Sequence, residues 1–166
     1  MATMKDAVEC IKKLVDIFDE LGLGDPFAAG RAREAILADF LSHELGDELH
    51  GCDAYNKEGD LFEYKTKTDD FPIAGRYDVS SQPTWDDQVK YLQEEKIANN
   101  AKHYYATFTK KFDLTQVWEI DGDKVLELLL PKLNNKYHQD KTNLKVQNLH
   151  ATLTAKDIRE NGKRIL

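Results

Sequence analysis

The stretch His50–Thr68, HGCDAYNKEGDLFEYKTKT, sets Asp53, Glu63 and Lys65 around a turn at Lys57-Glu58-Gly59-Asp60. Leu61–Thr68, rich in aromatic and β-branched residues, reads as a strand, and the run from about His50 to Tyr55 reads as its partner across that turn. Residues two apart in a strand share a face, so Leu61, Glu63, Lys65 and Lys67 point one way and Phe62, Tyr64 and Thr66 the other. The aromatic side enters the core. Glu63 and Lys65 are then neighbours on an exposed rim, and Asp53 pairs back onto it.

Two carboxylates side by side repel unless a cation separates them, and hard oxygen ligands suit magnesium. Such an ion polarises a phosphoryl oxygen and lowers the pKa of bound water, while an adjacent lysine orients that water or stabilises developing charge. On spacing alone, an ordinary polar hairpin explains the same residues. Glu-x-Lys recurs at Glu94 and Lys96 inside a helical pattern, where the two side chains diverge. The strand setting, the turn and Asp53 therefore carry the signal.

Outward from the hairpin, Met4, Val8, Ile11, Val15 and Phe18 step by three and four, which predicts an amphipathic helix ending near LGLGD. A second helix is expected from Asp25-Pro26, with Asp as N-cap, to Gly46. Residues 69–83, with Pro72, Gly75 and Pro83, read as irregular. Thr84–Asp87 reads as a capping box opening a helix with Trp85, Val89 and Leu92 on one face. HYYATFT and LTQVWEID are expected as two strands around a turn at 110–113, followed by a Leu-rich helix from about Asp123 to Asn134. The Leu run serves the core, with a dimer contact as its other use. LHATLTAKDIRE closes the order as a strand and a helix. Helices before, within and after a set of strands predict an α+β fold: a mixed β-sheet flanked by helices.

The chain has 166 residues, 41% hydrophobic and 32% charged, which suits one domain with one core. It divides into a helical part, 1–46, with a dimerisation role open to it, a catalytic sheet, 50–121, and a C-terminal part, 122–166. No apolar run is long enough to span a bilayer and no signal peptide opens the chain, so the expectation is a cytoplasmic protein without membrane contact. Cys10 and Cys52 have no CxxC partner and are expected to be buried free thiols. The five histidines show no zinc spacing. The net charge is −7, but residues 131–166 carry eight Lys/Arg against three acids, a local +5 that leaves −12 for residues 1–130. The basic end suits a polyanion, or is simply a solvated surface.

GCDAYNKEGDLFEYKTKT resembles the active-site hairpin of the PD-(D/E)XK nucleases, and its Asp-x9-Glu-x-Lys spacing is similar to that of small homodimeric type II restriction endonucleases. The resemblance extends, as an order of patterns, over residues 50–148. It implies a restriction-endonuclease-like sheet and a Mg2+-dependent hydrolysis of double-stranded DNA, with Mn2+ as substitute ion. By it, Asp53, Glu63 and the Tyr64 backbone carbonyl hold the metal, Lys65 is the catalytic lysine, and Glu34 is an accessory carboxylate. A surface ion pair beside Arg31 and Arg33 is the other role open to Glu34. Cys52 stands where the motif's name has proline.

Asp78–Gln82 lack the histidine that such enzymes place before the corresponding proline, so the target sequence does not carry over. Arg76, Ser80, Ser81 and Gln82 are candidate base or phosphate contacts, or a polar loop; Lys141, Asn143 and Lys145 are candidate DNA contacts, or a solvated segment. Cutting both strands implies a homodimer and a short palindromic site. The alternatives are a junction resolvase or a RecB-like exonuclease of the same fold, for which Gln88 and Tyr91 fall one residue short of the usual spacing, and a non-catalytic DNA-binding module.

Overall fold

A computed structural model of the chain describes residues 2–46, 51–140 and 148–166. Its frame is a six-stranded mixed sheet built from β1 (Glu44–Leu45), β2 (Ala54–Tyr55), β3 (Leu61–Thr68), β5 (Lys102–Phe108), β6 (Leu114–Asp121) and β8 (Lys163–Arg164). The strands lie side by side in that order. β3 and β5 run parallel, with Glu63 beside His103 and Lys65 beside Tyr105; the other neighbours are antiparallel. A second sheet pairs β4 (Gly75–Ser80) with β7 (Asn148–Leu153), antiparallel. The α+β class expected from the order of elements is the one observed.

Strand alternation divides the core in two. Phe62 and Tyr64 of β3 and Tyr104, Ala106 and Phe108 of β5 face α2 (Arg31–Leu41), packing on Leu37 and Ala38. Tyr105 on the opposite face joins a larger core with Tyr77 and Val79 of β4, Leu149 and Leu153 of β7, Ile158 of α5 (Ala155–Asn161), and Leu129 and Leu133 of α4 (Gly122–Asp140). Each such side chain, fully buried, stabilises the fold by roughly 1.5–3 kcal/mol. Leu126, Leu129 and Leu133 are core, and Leu128 and Leu130 pack partly against it. α4 runs past Asn134 to Asp140 and carries Pro131 within it.

The remaining helices are α1 (Met4–Glu20), closed by a Thr3–Asp6 capping box, and α3 (Trp85–Tyr91), capped by Thr84 and continued by a π-helical turn, Leu92–Lys96. The buried residue of α3 is Gln88, while Trp85 is half-buried. Among the described residues no helix is long and apolar enough to cross a membrane.

Four expectations are corrected. Asp25 caps a turn, its Oδ1 accepting from the Phe27 N–H at 2.9 Å, and the helix itself starts at Arg31 after Gly30. It ends at Leu41, where Ser42 turns left-handed and the chain enters β1. Of the strand expected from His50 to Tyr55, the described residues form extended structure at Ala54–Tyr55 alone. The stretch expected to be irregular contains β4, whose alternating burial comes from pairing with a strand some 70 residues away in sequence. Neither cysteine is in a disulfide, but only Cys52 is buried; Cys10 is exposed on α1.

Candidate active site

The site begins where β2 stops. Ala54 pairs with Phe62, and the Asp53 N–H still donates to the Phe62 carbonyl at 3.1 Å; beyond that the ladder ends. The Tyr64 N–H, next along the same edge, is met by the Asp53 carboxylate instead, Oδ2 accepting at 2.6 Å. A side chain thus replaces a strand, which fixes Asp53 opposite Glu63. The N–H and C=O of a strand residue lie along the same edge, so the Tyr64 carbonyl is also presented on the Asp53 side.

Glu63 is not on an exposed rim. It is 8% accessible, because the face it shares with Lys65 is covered by β4. Gly75 makes the approach possible: a Cβ there would overlap the Tyr105 ring and lie 3.2 Å from the Lys65 Cγ. The Lys65 ammonium donates to Glu63 Oε1 and lies 4.9 Å from the centroid of the Tyr77 ring. Burial, reinforced by the Glu63 charge, pushes the Asp53 carboxyl up to about 7, against the opposing pull of the Tyr64 amide and Lys65.

Glu34 reaches the same field from α2. Gly30, at φ +93°, precedes the helix in a conformation that favours glycine, and the Glu34 carboxylate folds over it, 2.9 Å from where a Cβ would stand. Its partner Arg31, at 3.6 Å, is itself buried, donating from Nε to the Leu23 carbonyl at 2.7 Å and from Nη2 to the Gly46 carbonyl at 2.6 Å. Burial raises the Glu34 pKa; Arg31 and Lys65 pull it down, and Glu63 adds to the rise. Glu34 thus forms a partly buried ion pair with Arg31 and lies close enough to Asp53, Glu63 and Lys65 to feel their charges.

Beneath Glu63 and Lys65 lies a polar chain that the sequence did not reveal. The Ile97 carbonyl can only accept, so His103 Nε2 carries the proton (3.0 Å) and Nδ1 accepts from the Tyr77 hydroxyl (2.9 Å). Tyr77 in turn accepts from the Tyr105 hydroxyl at 2.6 Å. Burial lowers the His103 pKa to about 4, keeping the ring neutral. On the other face of the sheet, His43 stacks on Phe62 and pairs with the Tyr64 hydroxyl at 2.8 Å.

The outer candidates lie apart from this group. Arg76 is exposed on β4 and holds its guanidinium on Asp78, at 2.8–3.0 Å. Ser80 ends β4 and Ser81–Gln82 follow it as a loop, and the main chain there is pinned: Gln88 Oε1 accepts from the Gln82 N–H, Gln88 Nε2 donates to the Ser80 carbonyl, and the Tyr137 hydroxyl donates to the Gln82 carbonyl. Buried Gln88 is thus a loop anchor. Lys141, Asn143 and Lys145 lie outside the described residues. Much of the rest of the basic end is engaged internally, with Lys132 on Asp157, Lys136 on the His150 carbonyl and Lys163 on Glu119.

Among the described residues no three His, Cys, Asp or Glu side chains form a ligand set by themselves. The donors on offer are the Asp53 and Glu63 carboxylates and the Tyr64 carbonyl, all oxygen. The Asp53 pKa is raised first by burial and second by the Glu63 charge, and the all-oxygen donor set is of the kind that suits a hard divalent cation. The sequence matches no protein-family model and no curated protein.

Proposed function

We propose that this chain is a magnesium-dependent DNA endonuclease of the PD-(D/E)XK type, hydrolysing phosphodiester bonds in double-stranded DNA as a cytoplasmic type II restriction enzyme. The observation that carries this reading is the Asp53 carboxylate on the Tyr64 amide, which lines up two carboxylates, a main-chain carbonyl and the Lys65 ammonium along one strand edge. Asp53, Glu63 and the Tyr64 carbonyl would hold Mg2+, or Mn2+ in its place; the ion supplies charge neutralisation at the scissile phosphate and acidifies water. Glu63 holds Lys65 in place, and the ammonium supplies a fixed positive charge where negative charge develops. Glu34 adds negative charge that favours cation entry. Two copies are required to cut both strands.

Incubation with linear, supercoiled and four-way-junction DNA, with and without Mg2+, tests this. Metal-dependent double-strand breaks at discrete positions are expected, and Asp53→Ala and Glu63→Ala should abolish them while leaving DNA binding intact. Cleavage confined to junctions or proceeding from ends would support a resolvase or an exonuclease. Binding without cleavage would support a non-catalytic module. Robust cleavage by either alanine variant would remove the assignment.

A further inference from the structure

The turn between β5 and β6 holds Phe112 at φ +67°, in the left-handed region that a bulky side chain rarely adopts and that hairpin turns ordinarily give to glycine. The turn closes by ordinary means. The Thr109 N–H donates to the Asp113 carbonyl at 2.8 Å, the Phe112 N–H to the Thr109 carbonyl at 3.0 Å, and the Thr109 hydroxyl to Asp113 Oδ2 at 2.9 Å. None of these needs a side chain at 112, and glycine would adopt the same backbone without strain. What phenylalanine adds is its ring, whose centroid lies 5.5 Å from the Arg33 guanidinium of α2. Backbone strain kept for the sake of one side chain points to a use for that side chain.

The ring is one wall of a cavity of about 700 Å³, completed by Leu14 and Phe18 of α1, Phe27 of the connection and Ile36 of α2. Small-molecule sites run from about 300 to 1,000 Å³ and are lined, like this one, by apolar and aromatic side chains with few polar groups. Phe27 and Phe112 line it while 60% and 43% exposed, so the cavity is open to solvent. Two charged side chains complete the lining, and they differ. Arg33 is half-buried, and its Nε, out of reach of solvent, has no hydrogen-bond partner among the described residues. A buried donor without an acceptor is a group that a ligand can satisfy. Asp39 is exposed and stands about 9 Å further along the α2 axis. A carboxylate matches Arg33, because it takes the Nε–H and one Nη–H together on the planar fork. A phosphate monoester would bring nearly two negative charges to a single cation. A second acid group on the ligand would meet only apolar walls or Asp39.

We propose that this cavity is a binding site for a small monocarboxylate with an apolar tail, of the medium-chain fatty acid class, its carboxylate on Arg33 and its tail between Phe18, Phe27, Ile36 and Phe112. The site rests on the strained ring, the unpartnered donor and the apolar walls, not on the nuclease reading, so a failure of either leaves the other standing.

Titration calorimetry of the full chain with decanoate, below its micellar concentration, tests it. Saturable binding of one decanoate per chain is expected, and decan-1-ol, which has the tail without the charge, should bind about tenfold more weakly. Arg33→Met keeps an unbranched stem and removes the guanidinium; it should raise the decanoate dissociation constant about tenfold and leave that of decan-1-ol nearly unchanged. Phe112→Gly removes one wall and relieves the turn, so it should weaken both ligands several-fold while the melting temperature holds or rises, which separates loss of the site from loss of the fold. No saturable binding, a decan-1-ol affinity equal to that of decanoate, or an Arg33→Met variant that binds decanoate as tightly as the wild type would each overturn the proposal. So would either of two results that give the cavity to another occupant. Decanoate affinity that falls as the chain is concentrated assigns it to a second copy, and flotation with phosphatidylglycerol vesicles that decanoate does not reduce assigns it to a lipid surface.

Discussion

The Lys65 ammonium rests 4.9 Å from the centre of the Tyr77 ring while donating to Glu63, so a catalytic-lysine candidate on β3 is steadied by a residue on the other sheet. Ring and hydroxyl of Tyr77 have separable duties. Tyr77→Phe keeps the ring under Lys65 but leaves buried His103 and Tyr105 short of a partner, and should cost about 1–3 kcal/mol of stability with the cleavage rate nearly unchanged. Tyr77→Leu also removes the cation–π interaction, of order 1–2 kcal/mol when desolvated, and should slow single-turnover cleavage about tenfold further. Equal rate reductions in the two variants would show that the ring does not steady Lys65.

Asp53 and His103 give the stability a pH dependence of opposite signs. The Asp53 value is raised in the fold from 3.8 to about 7, so the native state holds a proton that the unfolded chain releases, and this group's contribution falls as pH rises through that window. Glu34, also raised, acts in the same sense. His103 is lowered from 6.5 to about 4, so the unfolded chain takes up a proton first and stability falls as pH drops through 6.5 toward 4. Between about 4 and 6.5 the two slopes oppose each other. Asp53→Asn removes one of them: the variant should gain on the order of 2 kcal/mol above pH 7, little near pH 4, and show a steeper acid limb. Thermal melts across pH 4–8 measure this, at about 2–4 °C per kcal/mol. A gain that is uniform across the range would contradict the assigned shift.

Gly75 is a clearance between the two sheets. Gly75→Ala should destabilise by roughly 1–3 kcal/mol, since the new methyl must displace the Tyr105 ring, and it should disturb the Lys65 stem as well. Its neighbour is the control: Arg76→Ala removes only an exposed pair with Asp78 and should stay within about 0.5 kcal/mol. Denaturant titration of the two variants separates a buried clearance from a generally intolerant strand.

What was legible in the sequence was local. The alternation in Leu61–Thr68 placed Phe62 and Tyr64 in one core and Glu63 and Lys65 together on the other face, and the three-and-four spacing located α1. The burial of Glu63 was not legible, because it is imposed by β4, and Pro72, Gly75 and Pro83 disguise a strand whose partner, β7, is remote in sequence. The Tyr77–His103–Tyr105 chain has the same origin, since His103 and Tyr105 read as strand residues until β4 brings Tyr77 onto them. Asp25-Pro26 suggested a helix start because the Asp cap is real, but it closes a turn; the helix waits for Gly30 and so carries Glu34 to the site.

The pinned segment Ser80–Gln82, where β4 ends, separates two ways of holding DNA. If these side chains read bases, their precision depends on Gln88, which fixes the loop from beneath. Gln88→Ala should then relax discrimination between cognate and single-mismatch sites, with binding to random DNA and its salt dependence unchanged. Gln82→Ala should cost roughly 1–3 kcal/mol at one base position. Lys141→Ala and Lys145→Ala should do the reverse, weakening binding to all sequences and flattening the salt slope by about one unit for each phosphate left without its lysine. Fluorescence anisotropy titrations at several salt concentrations distinguish the two classes. Should Gln88→Ala weaken every sequence equally, the loop only positions the duplex. If the lysine variants keep both affinity and slope, the duplex is held by charges elsewhere on the molecule.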